Sequence, residues 1–206
     1  MTTAPTGSPP TRPRSGCRSL LRSEGVVGGH SAWLWHEQRV RARAHTKGQG
    51  SPAAAGPSAR RGVFDRTIAV NLRGHLLCTR HAIPQMLSRG GGALVYTTSN
   101  SAFIGEPERP CYAMAKAGIN ALMRHVASRW GRHGIRANSI APGLVLNKDN
   151  PKVIPEDVKA AALAGTRSTR LGTPDDIAAM VVHLLSDDGA WINGQVISVD
   201  GGWTMR

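Results

Sequence analysis

The 206 residues are 40% apolar, 19% charged and 4% aromatic, which suits one globular domain and excludes a collagen-like or disulfide-stapled chain. Three cysteines (Cys17, Cys78, Cys111) cannot all pair and are too widely spaced for a zinc site. They fit a reducing compartment, and no apolar run reaches the ~18 residues of a membrane span. The formal charge of +13 is lopsided, because residues 1–62 hold ten basic and two acidic side chains and residues 63–206 hold sixteen and eleven. The first thirty residues lack the apolar core of a signal peptide, so a soluble, cytoplasmic chain is expected.

Residues 1–62 contain nine Gly, six Pro, eight Ala and seven Ser, with seven Val, Ile, Leu, Met or Phe. So little apolar area cannot offset chain entropy, and the segment reads as basic, low-complexity and disordered. The run from Arg39 to Arg43 with Lys47 suits phosphate attraction, but only Trp33 and Trp35 are there to stack on bases, so nucleic acid is not an expected partner. Gly25, Gly28 and Gly29 follow no strand and precede no periodic helix, so no phosphate is assigned to them.

From residue 63 the pattern becomes regular. Phe64, Ile68, Leu72 and Leu76, continuing through Leu77 and Ile83, mark one face of a long helix that the glycines at 90–92 stop. Ala93 to Thr98 reads as a short buried strand. A second helix follows, with Ile119, Leu122, Met123, Val126 and Trp130 on its apolar face and Gly131 and Gly134 at its end. Ile135 to Ala141 is a second strand, closed by Pro142-Gly143, and a short helix is expected after Pro155. Thr173 is an N-cap, Pro174 suits the first helical position, Asp175 and Asp176 complement the helix dipole, and Ile177, Met180, Val181, Leu184 and Leu185 form the stripe to be buried. Gln195 to Val199 is the third strand.

Strand–helix alternation of this kind predicts an α/β fold, a parallel sheet with helices on its faces, whose ligands sit beyond the carboxyl ends of the strands. Ser99 follows one such end and Pro142-Gly143 another. Tyr112 and Lys116 are four positions apart on a helix and share a face. A phenol titrates near ~10, and ionising it near neutral pH takes roughly 4 kcal/mol. One cation at ~4 Å in an effective dielectric of ~20 supplies about that much. The eight histidines show no metal-ligand spacing, so no metal is expected.

Taken together, Asn71 in Ala-Val-Asn-Leu-Arg-Gly, Ser99 in Thr-Thr-Ser-Asn-Ser-Ala, Tyr112-Ala-Met-Ala-Lys116, Ile135-Arg-Ala-Asn-Ser-Ile-Ala-Pro-Gly143, Leu171-Gly-Thr-Pro-Asp-Asp-Ile177 and Val199-Asp-Gly-Gly202 resemble the short-chain dehydrogenase/reductase family. The resemblance covers residues 63–206 and implies the C-terminal part of a Rossmann-like, doubly wound sheet. It implies hydride transfer between NAD or NADP and an alcohol or ketone, with Tyr112 as the acid or base. Lys116 would lower the phenol's pKa and hold the nicotinamide ribose, Ser99 would bind the substrate oxygen, and Asn71 would anchor a water in a proton relay. Pro142 and Gly143 would let backbone approach the nicotinamide. Asn147 stands where the family often has a carboxamide-binding threonine. A homodimer or homotetramer is expected by resemblance.

The family's opening strand and glycine-rich turn are not recognisable in residues 1–62, so a truncated domain is expected, with the Ala93–Thr98 strand left at a sheet edge. The expected source of such an opening is a shifted reading frame or a misplaced start in GC-rich DNA. The alternative to an oxidoreductase is a catalytically silent remnant that oligomerises without binding dinucleotide.

Overall fold

The computed structural model describes residues 61–147 and 154–205. The expectations for residues 1–60, including disorder and the basic run, lie outside the described residues.

The described chain runs through helix α1 (Arg61–Ile68), a wide π turn (Ala69–Arg73), helix α2 (Gly74–Ser88), strand β1 (Gly92–Thr97), helix α3 (Pro110–Trp130), strand β2 (Ile135–Pro142), helices α4 (Glu156–Gly165) and α5 (Pro174–Leu185), and strand β3 (Val196–Val199). The strands lie in the order β1-β2-β3, all parallel, with Gly92 opposite Ile135 and Ser139 opposite Val196. Among the described strands β1 pairs only with β2.

Alternation along the strands divides the core between two faces. Tyr96, Ile135 and Ala137 pack with Ile83 of α2 and with Ile119, Met123, Val126 and Ala127 of α3. Ile140 packs on the opposite face with Ile177 and Leu184 of α5. Two polar side chains tie that second layer to β2. Arg136 donates to the carbonyls of Leu184 (2.8 Å), in the last turn of α5, and Ser186 (3.1 Å), just beyond it, and Asn138 bridges Ile192 and Gln195. At the start of α5 the Asp176 carboxylate accepts from both the backbone and hydroxyl of Thr173 at 2.8 Å, and pairs with Arg170 at 2.7 Å.

Three details depart from the sequence reading. The long helix is interrupted at Ala69–Arg73, where a π turn winds less per residue than an α turn. Positions beyond it lag the four-residue apolar repeat, so Leu76 and Leu77 are exposed while Thr79 and Ile83 are buried. Phe64, upstream of the turn, is also exposed. At the end of α5 Leu185 turns outward, because the helix stops there and only Ile177, Met180, Val181 and Leu184 meet the sheet.

The two glycine-rich corners before β1 and β2 meet. Gly91 (φ 148°) and Gly134 (φ 77°) approach so closely that a Cβ on Gly91 would lie 2.7 Å from the Gly134 carbonyl oxygen, and Gly92 N–H donates to that same oxygen at 3.1 Å.

Candidate active site

Parallel strands bring their carboxyl ends to one edge of the sheet, which places Ser99, Pro142-Gly143 and Asp200 along that edge. Helix α3 begins beside it with Pro110 at its first turn, two residues before Tyr112.

Tyr112 and Lys116 share one face of α3, with Lys116 Nζ 5.5 Å from the centroid of the Tyr112 ring. Two hydrogen bonds lock this part of α3 to the end of β1. Lys116 Nζ donates to the Thr97 carbonyl at 3.0 Å, and Thr98 Oγ1 donates to the Lys116 carbonyl at 2.9 Å. Lys116 is 6% exposed, and burial lowers its pKa to about 8.

Ser99 is buried immediately after β1 and caps a 3₁₀ turn over Asn100–Ala102. Its hydroxyl accepts from Ser101 N at 3.2 Å and donates to Asn100 Oδ1 at 3.3 Å. The hydroxyl expected from the sequence to bind substrate is the one that caps this turn. Asn71 lies inside the π turn, its side-chain amide donating to the Thr67 carbonyl at 3.1 Å.

Gly143 has a tertiary reason to be glycine. A Cβ there would lie 2.9 Å from Asp200 Cβ and 3.0 Å from Asp200 Cα. The Pro142-Gly143 motif and the closing Val199-Asp-Gly-Gly202 motif therefore pack directly on each other. The Asp200 carboxylate accepts from Gly202 N at 3.1 Å and from Thr204 N at 2.9 Å, fixing the turn after β3. Asn147 is exposed at the end of the segment leading out of β2, beyond the bridge between Val145 and Gly172.

Sequence reasoning passed over three residues here. Arg109, three positions before Tyr112, places its guanidinium 5.2 Å from the Tyr112 ring centroid, so the phenol ring has two cations near it. Glu106, three positions earlier still, holds that guanidinium at 2.7 Å and accepts from Ser101 Oγ at 3.2 Å. Burial raises the Glu106 pKa, but the Arg109 hydrogen bond and charge outweigh it and leave the carboxyl below its ordinary value. His75, four positions after Asn71, stacks on Tyr96 of β1, and burial, followed by the Lys116 charge, lowers its pKa to about 4. The regular spacings 106, 109, 112 and 71, 75 were the available signals.

Among the described residues there is no group of three or more His, Cys, Asp or Glu able to hold a metal ion, and no helix long and apolar enough to cross a membrane.

Comparison with known proteins gives the arrangement a context. Residues 45–204 match a family model described as enoyl-(acyl carrier protein) reductase, a match that begins upstream of the first motif quoted above. A Bradyrhizobium diazoefficiens protein named as a probable short-chain type dehydrogenase/reductase is 42% identical over 140 residues, which cover 68% of this chain and 50% of that protein. An L-rhamnose 1-dehydrogenase (NAD(P)(+)) of a Sphingomonas species is 39% identical over 142 residues, covering 68% of this chain and 56% of its own length. The chain thus spans about half the length of the curated relatives it matches. A solved 7α-hydroxysteroid dehydrogenase complexed with NADH and 7-oxo glycochenodeoxycholic acid superposes with a TM-score of 0.65 at 31% identity, over 76% of this chain and 60% of that one. A 4-hydroxyisoleucine dehydrogenase complexed with NADH and succinate gives 0.64 at 28%, over 70% and 60%.

Proposed function

Because the chain belongs to the short-chain dehydrogenase/reductase family, with a Rossmann-type sheet, we propose that it transfers hydride between a nicotinamide dinucleotide and an alcohol or ketone carbon, with Tyr112, Lys116, Ser99 and Asn71 as its working residues. One observation carries the reading. A buried lysine is tied to the strand that leads into Ser99 and lies on the same helical face as Tyr112. A structural role alone gives little reason to bury an ammonium, since burial already weakens its hold on its proton.

The donor set fits the nicotinamide end of the cofactor. Lys116 has three N–H donors and gives one to Thr97, leaving two without a hydrogen-bond partner among the described residues and suited to ribose hydroxyls. Asn147 is suited to an amide because its side chain both donates and accepts. The pyrophosphate end has no glycine-rich counterpart among the described residues. When bound, the cofactor supplies the hydride acceptor or donor.

The chain's own residues handle the proton. In alcohol oxidation Tyr112 Oη, as phenolate, removes the hydroxyl proton, and in ketone reduction the phenol returns it. Ser99 Oγ turns from Asn100 to hydrogen-bond the substrate oxygen and orients it toward Tyr112. Lys116 stabilises the phenolate as a cation, and Arg109 adds a second charge at the solvent side. Asn71 holds a water that connects this end of the site with solvent. The homologues' names point to small-molecule substrates, and a homodimer or homotetramer remains part of the proposal.

The test is titration of the complete 206-residue chain with NADH and NADPH, followed by turnover with sugar, hydroxy-acid and steroid alcohols. Micromolar binding of one cofactor, and turnover reduced at least a hundredfold in Tyr112→Phe, is expected. If neither cofactor binds at millimolar concentration, the chain is the silent remnant instead.

A further inference from the structure

Ser99 and Tyr112 come from different elements, yet a circuit of side-chain contacts joins them. Ser99 Oγ accepts from Ser101 N at 3.2 Å, and Ser101 Oγ donates to Glu106 Oε2 at 3.2 Å. The same carboxylate oxygen accepts from Arg109 Nη2 at 2.7 Å, and the guanidinium lies 5.2 Å from the Tyr112 ring centroid. Ser101 is buried and the Glu106 side chain is 8% exposed, whereas the Arg109 side chain is 61% exposed. The circuit therefore has a buried anchor and an arm that reaches solvent beside the phenol.

The two charged members are engaged unequally. Both oxygens of the Glu106 carboxylate are occupied, Oε2 by Ser101 and Arg109 and Oε1 by the backbone N–H of Glu108 at 3.3 Å. Arg109 gives Glu106 one N–H of Nη2, and its Nε and Nη1 have no hydrogen-bond partner among the described residues. The second N–H of Nη2 is parallel to one on Nε or on Nη1, so one complete two-donor edge of the guanidinium is left over. Such a planar edge matches the two oxygens of a carboxylate, which a lysine would meet only as a point charge. Glu106 also fixes the arginine in advance, so less side-chain freedom is lost when an anion docks.

We propose that Arg109 is a specificity-determining residue that selects alcohols and ketones bearing a carboxylate, namely hydroxy acids and oxo acids, and that Glu106 positions it. The proposal rests on the dehydrogenase reading above and names the substrate class of that same site. The reacting oxygen lies between Ser99 and Tyr112, and the carboxylate takes the remaining edge of Arg109. Because one circuit links Ser99, Arg109 and Tyr112, the two ends of a short acid are held in fixed relation to the phenol.

The test uses the complete chain and three acids, lactate, 3-hydroxybutyrate and 4-hydroxypentanoate, each beside its methyl ester. At least one acid is expected to be oxidised with kcat/KM about tenfold or more above its ester. In Arg109→Gln the ester should lose only the roughly two- to fivefold that follows from the contact with the Tyr112 ring, while the acid loses about tenfold more, carried mainly by KM. Arg109→Lys, which keeps the charge without the planar edge, should retain part of the preference. Independently of turnover, the Arg109 Nε resonance, identified by its loss in Arg109→Gln, should move when the matching oxo acid (pyruvate, acetoacetate or levulinate) is added with oxidised cofactor. The methyl ester of that oxo acid should leave it in place. Turnover of alcohols without a preference for any of the acids, or a preference that survives Arg109→Gln, overturns the proposal and leaves the dehydrogenase reading standing. Cofactor binding with no acid oxidised overturns it as well. Absence of both cofactor binding and turnover in the unsubstituted chain overturns the dehydrogenase reading itself.

Discussion

Lys116 Nζ donates a 3.0 Å hydrogen bond to the carbonyl of Thr97, so the only ammonium buried among the described residues is anchored to the strand that delivers Ser99. The anchor aligns α3 with β1 and sets Lys116 beside Tyr112, and it has a thermodynamic consequence.

Burial lowers the Lys116 pKa from 10.5 to about 8, so the folded chain binds this proton less tightly than the unfolded chain. Stability therefore rises with pH between about 8 and 10.5, and below about 8 the buried charge exacts its full penalty of roughly 3 kcal/mol. Lys116→Met removes the charge and also the Thr97 hydrogen bond, so a net gain of about 1–3 kcal/mol is expected in urea melts at pH 7, shrinking towards pH 10. Activity should fall at least a hundredfold. Equal or lower stability at pH 7 would show that the ammonium is not destabilising.

The same shift predicts a pH limb for catalysis. As pH rises through about 8, Lys116 loses its proton and the site loses a cation, so ketone reduction should slow by up to tenfold per pH unit. Arg keeps its charge at this pH. The Lys116→Arg limb should therefore lie higher, and a limb unmoved by that change assigns it to another group.

Arg109 sits 5.2 Å from the Tyr112 ring centroid under the hold of Glu106. A cation–π contact at an exposed site contributes about 0.5–1 kcal/mol, so Arg109→Gln should lower kcat/KM by roughly two- to fivefold. Glu106→Gln frees the guanidinium without deleting it and should have a smaller effect in the same direction. Steady-state kinetics on both variants decides it, and an unchanged kcat/KM in Arg109→Gln removes the second cation from the mechanism.

Two glycines should respond oppositely to alanine. At Gly143 the added Cβ meets Asp200 Cβ at 2.9 Å and backbone Cα at 3.0 Å, so Gly143→Ala should cost about 1–3 kcal/mol. At Gly62, inside α1, no atom of the described residues lies within 4 Å of an added Cβ, and Gly62→Ala should stabilise by about 0.5–1 kcal/mol. Paired thermal melts measure both, and a neutral Gly143→Ala would mean that the β2–β3 ends can separate.

Much of the site was legible because its parts are local. Tyr112 and Lys116 come together because four residues span one helical turn, and Ser99 reaches the sheet edge because a strand stops before it. The contacts of Gly143 with Asp200 and of His75 with Tyr96 were not legible, because each joins separate elements of the chain. Arg109 and Glu106 fall between: their three-residue spacing was visible, but the packing of Arg109 on Tyr112 and its hold by Glu106 depend on the path of a loop.

By itself the sequence determined the order and type of the elements, the start of α5 at Thr173-Pro174, the stop of α3 at Gly131 and Gly134, and the family motifs. Backbone hydrogen bonding and side-chain periodicity operate over a few residues and leave their mark in the chain. The tertiary structure alone decided which way each face turned and what it met. The π turn at Ala69–Arg73 sent Leu76 and Leu77 outward and left His75 against Tyr96, and the sheet's register joined Lys116 to Thr97. Periodicity orients a side chain about its own helix or strand axis, whereas its neighbours are fixed by how those axes pack.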